Sequence, residues 1–316
     1  MKKWTWVAPL LAATTLLAGC GGGDKQSEAD TTPHFDAAFL MNNDLWREER
    51  KNELLAADGW TSLVGLHWLE LKAHYIGSGS TSGIRLAMGP ERMGMVSRDG
   101  DRLWFTPEPG AVLQVHGQPV NGRIAFLSDD ADEPTIINFD DGKGALSLIH
   151  RGPRYALRVK HADAPARVNF TGLDYWPADP AWRITARYVP HDAGKSLPIA
   201  DITGLVREQA NAGAVEFERN GRTWRLEALG EPGRPLQLIF ADRTSGRGSY
   251  AAGRYIDVGV PDDKSQVVVD FNRAYNPPCA FTPFATCPLP PPENRLDLEV
   301  EAGEKAYVKP ASEGHA

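Results

Sequence analysis

From residue 101 onward the chain alternates apolar and polar positions with a period of two, and glycine, asparagine, aspartate and proline interrupt the alternation. This pattern predicts short antiparallel strands joined by tight turns. Strands this short and closely spaced are typical of a β-sandwich or barrel, whereas βαβ units need longer intervals. The predicted strands are 101–107, 111–117, 135–141, 145–151, 155–161, 182–190, two within 215–229, 236–243, 254–260, 266–272 and 296–303.

The clearest local signal is the stretch 215–229, in which Asn220-Gly221 separates two alternating arms. Asn-Gly supplies the two positive φ angles of a type I′ turn, so the sequence predicts a two-residue hairpin. The apolar residues of each arm should share one face. They are Val215, Phe217, Trp224 and Leu226.

One segment before the strands has helical spacing. Residues 44–60 carry leucine and tryptophan on one side with dense charge between them. Asn43 or Asp44 is suited to cap the N-terminus of this helix, and Gly59 is suited to end it. The sequence therefore predicts one amphipathic N-terminal helix.

The first twenty residues combine two lysines, an apolar run over 4–17 and the sequence Leu-Ala-Gly-Cys ending at Cys20. The run is short for a transmembrane helix and fits a signal peptide. The stretch resembles a bacterial lipoprotein signal, which implies cleavage after residue 19 and lipidation of Cys20. We expect a signal peptide over 1–19 and a flexible tether over 20–35.

The implied localisation is the cell envelope, where acyl chains on Cys20 would hold the protein to the membrane. Gly21 follows the cysteine, which favours the outer membrane, facing the periplasm, in a Gram-negative host.

The segment ADAPA at 162–166 is typical of a domain boundary. We therefore predict two packed units of β-sandwich or barrel type in a mainly β protein. The first, 36–161, contains the helix and a sandwich, and the second, 165–310, is β-rich and contains a loop of cysteines and prolines.

The composition and the absence of known motifs argue against several classes of partner and cofactor. The chain has 34 lysines and arginines against 41 aspartates and glutamates, a net charge of −7, so nucleic acid is not an expected partner. Neither a Walker sequence nor a Gly-x-Ser-x-Gly elbow is present, and no cofactor is expected.

Two cysteines, Cys279 and Cys287, lie in the proline-rich stretch 276–294. Zinc needs four ligands at short spacings, and a nucleophilic cysteine needs a nearby base; the local sequence supplies neither. A disulfide is the favoured prediction in an oxidising envelope, with buried free thiols as the alternative.

Several stretches resemble the uncharacterised bacterial family called domain of unknown function 1684. They are GWTSLVGLHWLE at 59–70, 172–190, 242–256 and the proline-rich block within 267–296, and the resemblance extends roughly over 45–305. It implies little chemistry, because the family has no settled activity.

A second resemblance concerns residues 75–160, which are similar to a forkhead-associated β-sandwich. That family holds phosphothreonine with an arginine after the first glycine and a later Ser-x-x-His. Here Ser78 follows Gly77 and the Ser-x-x-His is absent, so the fold is the expectation and phosphopeptide binding is not.

Polar residues of two C-terminal segments are the candidate ligand site. Glycine-rich backbone with arginines can hold an anion, and a proline-stiffened loop can present polar groups. The candidates are Arg243, Arg247, Arg254, Asn272, Arg273, Asn276 and Arg295. The competing interpretation is that these side chains only satisfy backbone groups of a rigid loop.

The expected function is a lipid-anchored envelope protein that binds a small anionic or polar ligand in its C-terminal domain. One alternative is a hydrolase that uses Asp270, Tyr275 and Glu293 as acid–base groups. Another is a protein-interaction module whose partners the sequence does not identify. Whether the chain is an enzyme stays open at this level.

Overall fold

The computed structural model describes residues 37–309, and this part of the chain is mainly β, as predicted. Its helices are α1 (Ala37–Leu55) and α2 (Pro165–Val168). Its strands are β1 (Leu63–Trp68), β2 (Ala73–Gly77), β3 (Ile84–Arg85), β4 (Gly94–Asp99), β5 (Arg102–Pro107), β6 (Gln114–Val115), β7 (Gln118–Pro119), β8 (Ile124–Ala125), β9 (Ile136–Phe139), β10 (Gly144–Arg151), β11 (Arg154–His161), β12 (Arg183–Pro190), β13 (Ser196–Ala200), β14 (Val206–Arg219), β15 (Arg222–Leu229), β16 (Leu236–Phe240), β17 (Arg254–Val258) and β18 (Gln266–Asp270).

The signal peptide, Cys20 and the tether lie outside the described residues, so those expectations stay predictions. Within 37–309, neither helix combines the length and the apolar character needed to cross a membrane.

Strands β1 to β11 form two sheets that enclose one core. The first has the order β1-β11-β10-β9-β6-β7 and the second β3-β2-β4-β5-β8. Side chains of both sheets fill the space between them, among them Val96 and Phe105 on one side and Leu146 and Leu157 on the other. This is the predicted sandwich; its resemblance to a forkhead-associated domain stays a prediction.

The later strands form a third, nearly closed sheet with the order β17-β16-β15-β14-β12-β18, to which β13 adds by pairing with β14. Its end strands β17 and β18 lie close together, which gives the sheet a barrel-like form. Phe271, which is fully buried, packs at the centre of its core against the rings of Trp182, Phe217 and Phe240. The residues of the first core lie at or before 164, and those of the barrel core lie after 181. The division into domains at 161–165 stays a prediction.

The hairpin prediction is confirmed. Asn220 and Gly221 have φ angles of 54° and 70°, as a type I′ turn requires. Phe217 lies opposite Trp224 in the ladder, and both side chains are buried.

The helix prediction was wrong at both ends and about the buried face. Helix α1 begins at Ala37, so Asn43 is an interior residue and is buried, and the helix ends at Leu55, before Gly59. Leu45 is 59% exposed, whereas the charged Arg50 is 8% exposed. Tertiary contacts override the local pattern, because α1 packs on C-terminal residues that offer Arg50 a carboxylate.

The disulfide prediction is confirmed: Cys279 and Cys287 are joined. Cys287 and Ala285 pack against Leu63 at the start of β1, so the loop rests on the edge of the first sheet. A 3-10 turn at Pro278–Ala280 begins the loop.

Replacing both cysteines by alanine should lower the free energy of unfolding by about 2–3 kcal/mol, because the unfolded chain then loses its cross-link. The prolines already restrict the loop, which places the effect at the lower end. Urea unfolding of parent and double variant measures it. Equal stabilities, together with two extra titratable thiols in the unreduced, unfolded parent, would contradict the cross-link.

Candidate functional site

The C-terminal segment 295–301 alternates strictly between buried and exposed side chains. Leu296, Leu298 and Val300 enter the barrel core, so the acidic residues between them face solvent. Those residues are Asp297, Glu299 and Glu301. The predicted strand over 296–303 was wrong, because this segment bonds to the 241–243 backbone and to a side chain, and joins no sheet ladder.

Asp242 fixes this segment to the barrel. Its carboxylate accepts hydrogen bonds from the backbone N–H groups of Thr244 at 3.1 Å and Val300 at 2.8 Å. Arg254, which is fully buried, donates to Asp242 at 3.3 Å and to the Val300 carbonyl at 2.9 Å. Burial lowers the pKa of Arg254 and the Asp242 charge opposes that change. The two buried charges therefore hold 298–302 in place.

A second clamp holds the turn at Asp179. The side chain of Asn272 accepts from the Asp179 N–H and donates to its carbonyl, both at 2.9 Å. The Asp179 carboxylate in turn accepts from the N–H of Ala181 at 2.8 Å and starts the 3-10 turn Pro180–Trp182. Arg219, at the end of β14, lies 3.8 Å from the Trp182 ring centroid and donates to the Ala181 carbonyl.

These pieces enclose a cleft of about 480 Å³ between the 179–182 turn, the hairpin tip and the acidic segment. Arg243 and Asp297 form an ion pair on one wall at 2.5 Å, and this hydrogen bond raises the pKa of Arg243. Four acidic side chains line the cleft against two arginines, so it is negatively charged. The lining residues are Asp179, Trp182, Arg219, Asn220, Arg243, Asp297, Leu298, Glu299 and Glu301.

Of the predicted ligand-binding residues, Arg243 lines this cleft. Three others are fully buried and bond within the protein: Arg254, Asn272 and Asn276. Arg273 bonds to Asn42 of α1 at 3.0 Å, and Arg247 and Arg295 are exposed. The three buried residues hold neighbouring backbone segments in place through their hydrogen bonds. Their role in ligand binding stays a prediction.

Asn276 belongs to a buried link between helix α1 and the C-terminal residues. Glu304, which is fully buried, accepts from Arg50 at 2.9 Å and from the Asn276 N–H at 2.7 Å. Arg50 also donates to the Asn276 carbonyl at 2.9 Å. These bonds fix the helix on the proline-rich loop.

The candidate catalytic residues have separate partners. Asp270 accepts from the Asn272 N–H at 3.1 Å, while Tyr275 donates to Asp257 at 2.9 Å and accepts from Gln237 at 3.1 Å. Burial, with the nearby Asp257 charge, raises the pKa of Tyr275. Glu293 is exposed. Within 37–309 no hydrogen bond joins Asp270, Tyr275 and Glu293 to one another.

The sequence argument missed the acidic wall of the cleft. The segment LDLEVEA alternates apolar and acidic residues, and this alternation is the signal that could have identified the exposed carboxylates. It also missed a largely buried pair at the barrel-like sheet, in which His191 lies 2.6 Å from Glu227 of β15. Burial opposes ionisation of Glu227, but His191 and Arg225 together lower its pKa.

No cluster of three or more potential metal ligands occurs among residues 37–309.

Comparisons with family models and with solved structures both gave matches. The model of the family described as "Protein of unknown function (DUF1684)" matches residues 168–305. The solution NMR structure of an uncharacterized protein of Haloarcula marismortui is 32% identical, over 44% of this chain and 78% of that chain, with a TM-score of 0.37. Curated proteins gave no match.

Proposed function

The chain belongs to the family described as "Protein of unknown function (DUF1684)", and we propose that it is a lipid-anchored envelope protein whose C-terminal domain binds a small polar ligand. The proposal rests on the cleft beside Arg243. The carboxylates of Glu299 and Glu301 line this cleft and form no ion pair within residues 37–309. The sequence left an anionic or a polar ligand open. The excess of carboxylates favours a polar ligand with a cationic group.

Size and chemistry support this choice of ligand. The cleft volume of about 480 Å³ falls within the range of about 300–1,000 Å³ usual for small-molecule sites. An ammonium group near Glu299 and Glu301 would make charge-assisted hydrogen bonds, which are stronger than neutral ones. The Arg243–Asp297 pair adds a donor and an acceptor for hydroxyl groups.

Isothermal titration with matched ligands, such as glucosamine against glucose, tests the proposal. We expect the amine to bind and its neutral counterpart to bind at least about tenfold more weakly, with affinity falling as salt rises. The double variant Glu299→Gln/Glu301→Gln should weaken amine binding by about tenfold or more, because it removes both free carboxylates.

Glu133→Gln is the matched control, since Glu133 is exposed and lies outside the cleft. Its affinity should equal that of the parent. Absence of binding across a panel of amines, or equal affinities in the parent and the double variant, would rule out this cleft as the site.

The hydrolase alternative receives no specific support, because Asp270 and Tyr275 bond to different partners and Glu293 faces solvent. General acid–base catalysis needs such groups within reach of one substrate.

Membrane attachment has its own test. We expect a Cys20→Ala variant to leave the membrane fraction, because it lacks the thiol that carries the lipid. Fractionation of cells that express the parent or the variant measures the effect, and labelling with a palmitate analogue reports lipidation. Retention of unlabelled variant protein in the membrane fraction, at the parent's level, would contradict a lipid anchor at Cys20.

A further inference from the structure

Two cations lie side by side on the outer face of the first sheet. Arg158 and Lys160 alternate along β11 with Leu157 and Val159, which enter the sandwich core. The Arg158 guanidinium carbon and the Lys160 ammonium nitrogen each lie 5.7 Å from the centroid of the Trp60 ring. Trp60 is 36% exposed, so solvent reaches this cluster.

These cations differ from neighbouring arginines because neither forms an ion pair with a carboxylate among residues 37–309. On β11 itself, Arg154 pairs with Glu70 at 2.9 Å, and on the adjacent strand β10, Arg151 pairs with Asp129 at 2.8 Å. Within residues 37–309 Arg158 forms no ion pair and its buried Nε has no hydrogen-bond partner. Lys160 donates only to the backbone carbonyl of Asp58.

Both side chains are half-buried, which makes the lack of an ion-paired carboxylate costly. Burial lowers the pKa of Lys160, and the Arg158 charge lowers it further while Asp58 opposes the change. Burial and the Arg151 charge likewise lower the pKa of Arg158, against Asp129. A partly desolvated charge destabilises a fold unless a partner neutralises it, and stacking on one tryptophan compensates only in part.

We propose that Arg158, Lys160 and Trp60 form a binding site for a phosphate group. Two neighbouring cations match the charge of about −2 on a phosphate monoester. The arginine fork can bond two phosphate oxygens and the lysine a third. The phosphate is that of a soluble phosphate ester or of a phospholipid headgroup. This site is separate from the cleft at Arg243.

Calorimetric titration in phosphate-free buffer tests the site, with glycerol 3-phosphate as the monoester probe and glycerophosphoglycerol as the headgroup probe. We expect Arg158→Met and Lys160→Met each to weaken binding by about tenfold or more. Arg154→Met is the matched control, because this arginine lies on the same strand and is already paired with Glu70; its affinity should stay within about twofold of the parent.

A thermal melt without ligand separates a binding role from a structural one. Methionine keeps the bulk of these side chains and removes the unpaired charge, so the variants should melt at or above the parent temperature. Monoester binding that the variants lose supports a soluble ester, and binding of the headgroup probe alone, lost in the same variants, supports a phospholipid. The proposal would be overturned if neither probe bound, if the variants kept the parent's affinities, or if the melting temperature of both variants fell markedly.

Discussion

An Arg254→Met variant is expected to lose about 3–5 kcal/mol of unfolding free energy, the range typical of breaking a buried ion pair. Arg254 is fully buried, with a relative exposure of 0%. It donates to the carbonyls of Ala302, Glu304 and Val300 and to the carboxylate of Asp242. Methionine fills similar space but leaves that carboxylate buried without its cation.

Urea unfolding measures the loss, and Arg247→Met provides the matched control. Arg247 lies in the same glycine-rich segment but is exposed, so its substitution should change stability by less than about 0.5 kcal/mol. The variant should also disturb the acidic segment, because Arg254 and Asp242 together hold Val300. Equal stabilities of the two variants would show that Arg254 does not support the fold.

The second large effect is expected at Phe271. Replacing it by alanine should cost about 3–5 kcal/mol, because the fully buried ring leaves a cavity at the centre of the barrel core. The ring centroids of Trp182, Phe217 and Phe240 lie 5.6, 5.4 and 5.6 Å from that of Phe271, in edge-to-face arrangements. All three lose a partner in the variant.

Tyr75→Ala is the control for this experiment, since Tyr75 is aromatic but 64% exposed. Its cost should stay below about 0.5 kcal/mol. Phe271→Leu should fall between the two, because leucine retains part of the buried volume. A loss below about 1 kcal/mol for Phe271→Ala would mean that the barrel does not depend on this aromatic centre.

Strands with clear alternation and strong turn residues could be predicted. Strand β15 and the hairpin before it follow from Asn220-Gly221 and the apolar face of each arm. Strand β14, in contrast, begins at Val206, nine residues before the predicted start. Its first half, REQANAGA, has low strand propensity and forms because β13 pairs with it.

Strand β1 escaped prediction for a related reason. Its sequence LVGLHW has no clean alternation, and its pairing partner β11 lies almost a hundred residues later. Such long-range pairing leaves no mark on the local pattern, since propensity reflects only the immediate neighbours of a residue.

The candidate site, too, could be predicted only in part from the sequence. The sequence argument predicted Arg243, Arg254 and Asn272 alike as ligand-binding residues. Only the fold separates them, because whether an arginine or an asparagine is buried depends on which distant segment covers it. Asn272 is covered by the Asp179 turn and Arg254 by the segment around Val300.

It follows from the sequence alone that residues 37–309 are mainly β, that a hairpin turns at Asn220-Gly221, and that Cys279 pairs with Cys287. Each of these follows from residues close together in the chain. The tertiary structure decided which charges are buried. Arg50 and Glu304 meet across 254 positions. Among residues 37–309, Arg158 forms no ion pair, although Arg154, four residues earlier on its strand, pairs with Glu70. Charge pairing depends on distances in space, which local patterns do not encode.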